Sequence, residues 1–151
     1  MRTRGACATV AAGISAATLT LLGPASAAIV TGTSGNDRLE GTSGADQIYG
    51  MAGADRLFGS RGSDQEYGGA GRDTLHGGVG SDHLYPQDGR DRVYGDKGAD
   101  YIRANDNTHD VVRCGPGYDQ AWVDRGDSRS GCEFIEIVPI GVAKGVVGAR
   151  G

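Results

Sequence analysis

A glycine–aspartate pair recurs every nine residues along this chain, eight times without a break. The aspartates are Asp37, Asp46, Asp55, Asp64, Asp73, Asp82, Asp91 and Asp100, and each stands two positions after a glycine, from Gly35 to Gly98. Aspartate is about a tenth of the chain, so chance sets eight in one register with odds on the order of one in 10⁸. A unit this short cannot bury a core alone, and only stacking neighbouring units can. The plain alternative is a flexible linker or disordered tail, glycine-rich, acidic and poor in aliphatics. A linker has no reason to hold an eight-unit register, or to keep aliphatic residues in phase with the aspartates.

Written as units, the run reads GTSGNDRLE, GTSGADQIY, GMAGADRLF, GSRGSDQEY, GGAGRDTLH, GGVGSDHLY, PQDGRDRVY and GDKGADYIR, from Gly32 to Arg103. Each divides into a six-residue loop and a three-residue strand. Glycine lets the loop backbone turn its carbonyl oxygens toward one point, and aspartate adds a hard anionic oxygen. The inward strand position is the eighth: Leu39, Ile48, Leu57, Glu66, Leu75, Leu84, Val93 and Ile102, of which all but Glu66 are branched aliphatics. That alternation fits a half-buried strand. Two units per turn place residue n beneath residue n+18. One core stack is then Leu39, Leu57, Leu75 and Val93, and the other Ile48, Glu66, Leu84 and Ile102. The outward ninth position builds a ladder of Tyr49, Tyr67 and Tyr85, with Phe58, His76 and Tyr94 opposite, a source of cross-strand aromatic contact.

These units resemble the hemolysin-type calcium-binding nonapeptide repeats, the RTX family, over about half the chain. The resemblance implies an all-β fold, a right-handed parallel β-roll (a β-solenoid with two nonapeptides per turn), and several bound Ca²⁺ ions. Carried onto this sequence, the metal ligands are Asp37, Asp46, Asp55, Asp64, Asp73, Asp82, Asp91 and Asp100. The departures are specific. The second glycine of the unit is present only at Gly69 and Gly78, Pro86 replaces the first glycine of its unit, and Glu66 replaces an aliphatic residue.

The residues themselves support calcium. The ion takes six to eight oxygens from carboxylates and carbonyls alike, the two ligand types a glycine–aspartate loop offers. Stacked turns lie about 4.8 Å apart, and two carboxylates near that distance repel by roughly 3 kcal/mol at an effective dielectric of 20. Without a cation the roll opposes itself, so binding and folding are expected to be one event. Pairing each loop with the one two units on gives at most about six sites.

Arg2 and Arg4 precede a small, apolar run from about Ala6 to Leu22, and Pro24 and Ala25-Ser26-Ala27 follow. This reads as an export leader over residues 1–27, cleaved after Ala27 with Ala28 as the alternative. Cleavage removes Cys7 and leaves Cys114 and Cys132, an even number suited to a disulfide outside the cytosol; two free thiols are the other reading. Loss of Arg2 and Arg4 takes the net charge from −4 to −6. No basic stripe for nucleic acid and no basic amphipathic helix for a membrane surface is present. A secreted monomer, with no membrane insertion after cleavage, is expected.

The repeats occupy residues 28–103. The period slips by one residue at Asn105–Asp110 and returns as CGPGYDQAW from Cys114 to Trp122. Residues 104–136 read as a degenerate last turn and cap pinned by the disulfide, with Trp122 and Phe134 across the open end, Glu133–Ile140 as a further strand, and 137–151 as a tail. Asp110 and Asp119 are open to two readings, calcium ligands or a structural turn. Glu66 is the odd residue: a carboxylate in an aliphatic stack is costly, so it marks an opening, snorkels, or is protonated, and Glu66→Leu is expected to stabilise.

The chain has no H-E-x-x-H and no P-loop lysine, and beyond the leader no G-x-S-x-G. His76, His83 and His109 fall in different registers and read as surface residues. A non-enzymatic calcium-binding module is therefore favoured. An adhesive or glycan-associated module using the tyrosine ladder, and a polysaccharide-acting enzyme or its accessory module, are the alternatives.

Overall fold

The structure is a computed structural model that describes residues 9–11 and 27–138. The leader and the tail lie outside the described residues, except at Thr9–Ala11, Ala27, Ile137 and Val138. Thr9–Ala11, within the segment read as a leader, forms a strand parallel to Ile29–Thr31.

Two parallel sheets face each other in a β-solenoid of about six turns, with no helix among the described residues. One sheet runs through Ile29–Thr31, Gln47–Tyr49, Gln65–Gly71, His83–Gly89, Tyr101–Ala104, Gln120–Asp124 and Phe134–Val138. The other runs through Arg38–Glu40, Arg56–Phe58, Thr74–Val79, Arg92–Lys97, Val111–Arg113 and Ser128–Ser130. Leu39 pairs with Leu57 and Leu57 with Leu75; Ile48 pairs with Glu66 and Glu66 with Leu84. The spacing is the eighteen residues that two nonapeptides demand.

Both core stacks form and run past the eight units. Val30 lies beneath Ile48 and Ala121 above Ile102 in one, and Val112 lies above Val93 in the other, all buried. Val93–Val112 and Ile102–Ala121 are nineteen apart, so the one-residue slip is absorbed in a loop while the strands keep their inward faces. Asn107, in that loop, is left-handed at φ +76°.

The strands of the central turns are longer than three residues. Pairing continues into the loops, with Gly69 opposite Gln87 and Gly78 opposite Asp96. The second loop position is left-handed in both partners (φ +105° at Gly69, +101° at Gly78, +71° at Gln87 and +66° at Asp96). Adjacent chains therefore bend alike and stay hydrogen-bonded around the corner.

The aromatic ladders stand on the outer faces. Tyr49, Tyr67 and Tyr85 stack at 4.9 Å between successive centroids, with their planes nearly parallel. Phe58, His76 and Tyr94 stack at 5.2 and 4.4 Å. Trp122 and Phe134 do not lie across the end of the core. Trp122 pairs with Arg103 and Phe134 with Gln120, both outward positions, and they prolong the first sheet's outer aromatic line. The core above Ala121 is met instead by Ile135, which is itself exposed. The further strand is Phe134–Val138; Ile140 lies outside the described residues. Cys114 and Cys132 are joined in a disulfide that ties the last two turns together.

Candidate metal centre

Each repeat aspartate sits where loop becomes strand, and its backbone is held by the next turn. Arg56 donates its N–H to the Asp37 carbonyl, Gln65 to Asp46 and His83 to Asp64, at 2.8–2.9 Å. The side chains make a second ladder. The backbone N–H of Asp37 donates to Oδ1 of Asp55, that of Asp55 to Asp73, Asp73 to Asp91, and Asp91 to Asp110, at 2.8–2.9 Å. On the other edge Asp46 donates to Asp64, Asp64 to Asp82, Asp82 to Asp100 and Asp100 to Asp119, at 2.8–3.0 Å. One oxygen of each carboxylate from Asp55 onward is thereby satisfied, which offsets part of the repulsion that the stacking creates.

The second oxygen is not satisfied. Oδ2 of Asp55, Asp64, Asp73, Asp82, Asp91, Asp100, Asp110 and Asp119 is buried without a hydrogen-bond partner. Native proteins rarely leave such atoms unpaired, and a place for an ion is among the few reasons for doing so. In Asp55, Asp64, Asp73, Asp82 and Asp100 this oxygen turns toward the glycine that opens its own unit. A carbonyl from the next turn meets it there. A Cβ added to Gly77 would lie 2.6 Å from Asp82 Oδ2 and 2.9 Å from the Gly95 carbonyl oxygen; one added to Gly68 would lie 2.7 Å from Asp73 Oδ2 and 2.5 Å from the Pro86 carbonyl oxygen. The same convergence occurs at Gly50 with Asp55, Gly59 with Asp64 and Gly95 with Asp100. Pro86, Ala104 and Cys114, all buried, put a side chain at this position before Asp91, Asp110 and Asp119.

Burial pushes these carboxyls upward: Asp55 to about 6, Asp64, Asp91 and Asp100 to about 7, and Asp110 to about 8. The donated backbone N–H draws each back, and neighbouring carboxylates push it up again. Asp73, Asp82 and Asp119 are raised chiefly by burial. Anionic oxygens that are dehydrated, unpaired and faced by carbonyl dipoles require either a proton or a cation. Among the described residues no three carboxylate, imidazole or thiolate side chains converge. The donors are instead single carboxylates with backbone carbonyls, hard oxygens suited to Ca²⁺ rather than to zinc.

Two of the eight sequence-derived ligands differ. Oδ2 of Asp37 accepts from the backbone N–H and hydroxyl of Thr33, at 2.6 and 2.9 Å. Oδ2 of Asp46 accepts from the N–H and hydroxyl of Thr42, at 2.5 and 3.0 Å. Conversely Asp110 and Asp119, left open by the sequence, enter the same ladders as the repeat aspartates. Asp127 and Glu133 end them. Asp127 accepts from Asp110 N–H on Oδ1 and from Asp124 N–H on Oδ2, at 2.9 and 2.7 Å, and Glu133 Oε2 accepts from Asp119 N–H at 2.8 Å. They stand 17 and 14 residues from their donors, off the period that found the others. The threonines did leave a signal, the shared GTSG opening of the first two units.

Parallel strands two repeats apart, with aspartate ladders along the turns, define a calcium-binding β-roll. The chain belongs to the RTX calcium-binding nonapeptide repeat family, which it matches over residues 31–66, 67–102 and 85–108. No curated protein and no solved structure matches it.

Proposed function

We propose that this protein is an exported calcium-binding module in which ion binding drives folding, with a structural rather than catalytic role. The observation that carries this reading is the set of eight buried, unpartnered Oδ2 atoms. In the ion-free roll they are a dehydration cost with nothing to offset it; calcium offsets it only once the turns are stacked, so the ion stabilises the folded chain alone. Asp55, Asp64, Asp73, Asp82 and Asp100, each facing a glycine, are the principal ligands. Asp91, Asp110 and Asp119 are secondary ones, and Asp37 and Asp46 are satisfied by threonine. Calcium neutralises charge and bridges turns; the chain's residues supply and orient the oxygens and exclude water from them.

Export is supported by the leader pattern and by a disulfide, which persists in oxidising compartments. Outside the cell the ion is plentiful. The adhesive reading is less favoured, because the tyrosine rings cover one another's faces at 4.9 Å and offer a glycan mainly ring edges. The test is far-UV circular dichroism of the purified chain across a calcium titration, with magnesium as control. A cooperative gain of β-signal specific to calcium is expected; native-like signal in excess chelator would overturn the coupling. Mass spectrometry of protein recovered from the medium should give a chain starting at Ala28, and an intact Met1 would count against export by cleavage.

A further inference from the structure

Glu66 is the one member of the core stacks that is a carboxylate, and the structure removes two of its three explanations. It is fully buried, so it neither opens the wall nor snorkels. Neither of its oxygens makes a well-aligned hydrogen bond, the Gly59 backbone N–H being the one donor that bears on the carboxyl. Its surroundings differ from those of its counterparts in one respect. At Gly32 and Gly41 the third atom nearest to an added Cβ is a methyl carbon of the eighth residue, Leu39 Cδ1 or Ile48 Cδ1, each at 3.3 Å. At Gly59 it is Glu66 Oε1 at 3.0 Å, beside Asp64 Oδ2 and the Gly77 carbonyl oxygen, both at 2.5 Å. Three oxygens, two of them carboxylate, thus crowd the same side of Gly59, within 3.0 Å of where its Cβ would stand, whereas the sister glycines meet two oxygens and a carbon.

We propose that Glu66 is a calcium ligand, and that with Asp64 it makes the Gly59 cradle the tightest site of the roll and the first to fill. The inference rests on the calcium-binding reading above. Its physical basis is charge: two carboxylates match a divalent ion, whereas each other glycine-faced cradle brings one. Ligand charge count is a main determinant of calcium affinity. Glu66 stands on Gln65–Gly71, which pairs with Gln47–Tyr49 on one side and His83–Gly89 on the other, so the first ion to bind would order the middle of the solenoid.

The test compares wild type, Glu66→Leu and Glu66→Gln by calcium titration against a competing chelator, with thermal melting in calcium and in EGTA. Glu66→Leu should bind one ion fewer and lose the tightest step, at least tenfold in affinity. It should melt lower than wild type in calcium and higher in EGTA, the first of these being the reverse of the expectation from sequence alone. Glu66→Gln keeps the shape and one neutral oxygen, and should weaken the tight step without disturbing the chelated state to the same degree. If both variants bind as many ions as wild type with unchanged tight affinity, Glu66 is a buried protonated acid and the inference fails. If wild type itself takes up no calcium, the calcium-binding reading fails first, a result distinguishable from the other two.

Discussion

Four residues in the left-handed region carry a side chain where the repeat favours glycine: Met51 at φ +81°, Ser60 at +79°, Gln87 at +71° and Asp96 at +66°. Gly69 and Gly78 occupy the same position at +105° and +101°. A left-handed non-glycine residue costs roughly 1–2 kcal/mol, while glycine loses roughly 0.5–1 kcal/mol more backbone freedom on folding. Met51→Gly and Gln87→Gly should therefore each stabilise the calcium-loaded protein by about 0.5–1 kcal/mol, read as a higher melting temperature. Asp96→Gly is a poorer choice because Asp96 Oδ2 lies 3.0 Å from Nδ1 of His76. The ladder carboxyls give a second prediction at this scale. Their folded pKa values, from about 6 at Asp55 through about 7 at Asp64, Asp91 and Asp100 to about 8 at Asp110, are raised above the ordinary aspartate value. The ion-free roll thus binds more protons than the unfolded chain between about pH 4 and 8. Stability from this source is fully present below the unfolded value and is lost as pH rises through the folded values. In EGTA the β-signal should grow as pH falls from 8 toward 4, while in calcium the midpoint concentration should rise over the same descent, since protons and calcium compete for Oδ2.

At the scale of the nonapeptide, the units are alike in sequence but unequal in chemistry. Asp46→Asn removes a carboxylate already satisfied by Thr42 and by the N–H of Ala28. Calcium stoichiometry should not change, and the midpoint should move less than twofold. Asp82→Asn keeps an acceptor for the N–H of Asp64 but removes an unpaired anionic oxygen. It should cost at least one ion and raise the midpoint tenfold or more in the same chelator-competition titration. Equal behaviour of the two variants would show that the threonines do not distinguish these units. This inequality explains what was legible in the sequence. Period two in the strand and period nine in the chain are backbone properties, so the stacks from Leu39 to Ile102 and the aspartate register could be read directly. Which carboxylate oxygen stays unpaired depends on whether the residue four positions upstream turns its N–H and hydroxyl back, as Thr33 and Thr42 do and the left-handed Ser60 before Asp64 does not, and the nonapeptide pattern is silent on it. The endings at Asp127 and Glu133 were hidden for another reason: they take up the aspartate's role after the period has lapsed. Glu66 was visible as an exception, but its approach to the Asp64 cradle belongs to the stacked turn and to no single unit.

Across the whole molecule, each turn touches chiefly the turns on either side, so stability is close to a sum of turn terms and interface terms. The two ends are then weaker than the middle, and they differ in how they are held. The last turns carry the disulfide between Cys114 and Cys132, eighteen residues apart, worth about 3 kcal/mol in the chain-entropy model. That constraint acts where the calcium chemistry thins out: Ala104 and Cys114 fill the cradles before Asp110 and Asp119, and Asp127 and Glu133 leave the ladders without a further aspartate turn. Phe134, Ile135 and Ile137 are exposed on the final strand, so burial contributes little there. Replacing both cysteines by serine should consequently act locally. In saturating calcium, hydrogen exchange should rise across Val111–Val138 while Gln47–Ala104 stays protected. The calcium midpoint of the central turns should move little, because their interfaces are intact. Loss of protection along the entire roll would mean instead that the last turns nucleate the stack, and that calcium alone does not hold the middle together.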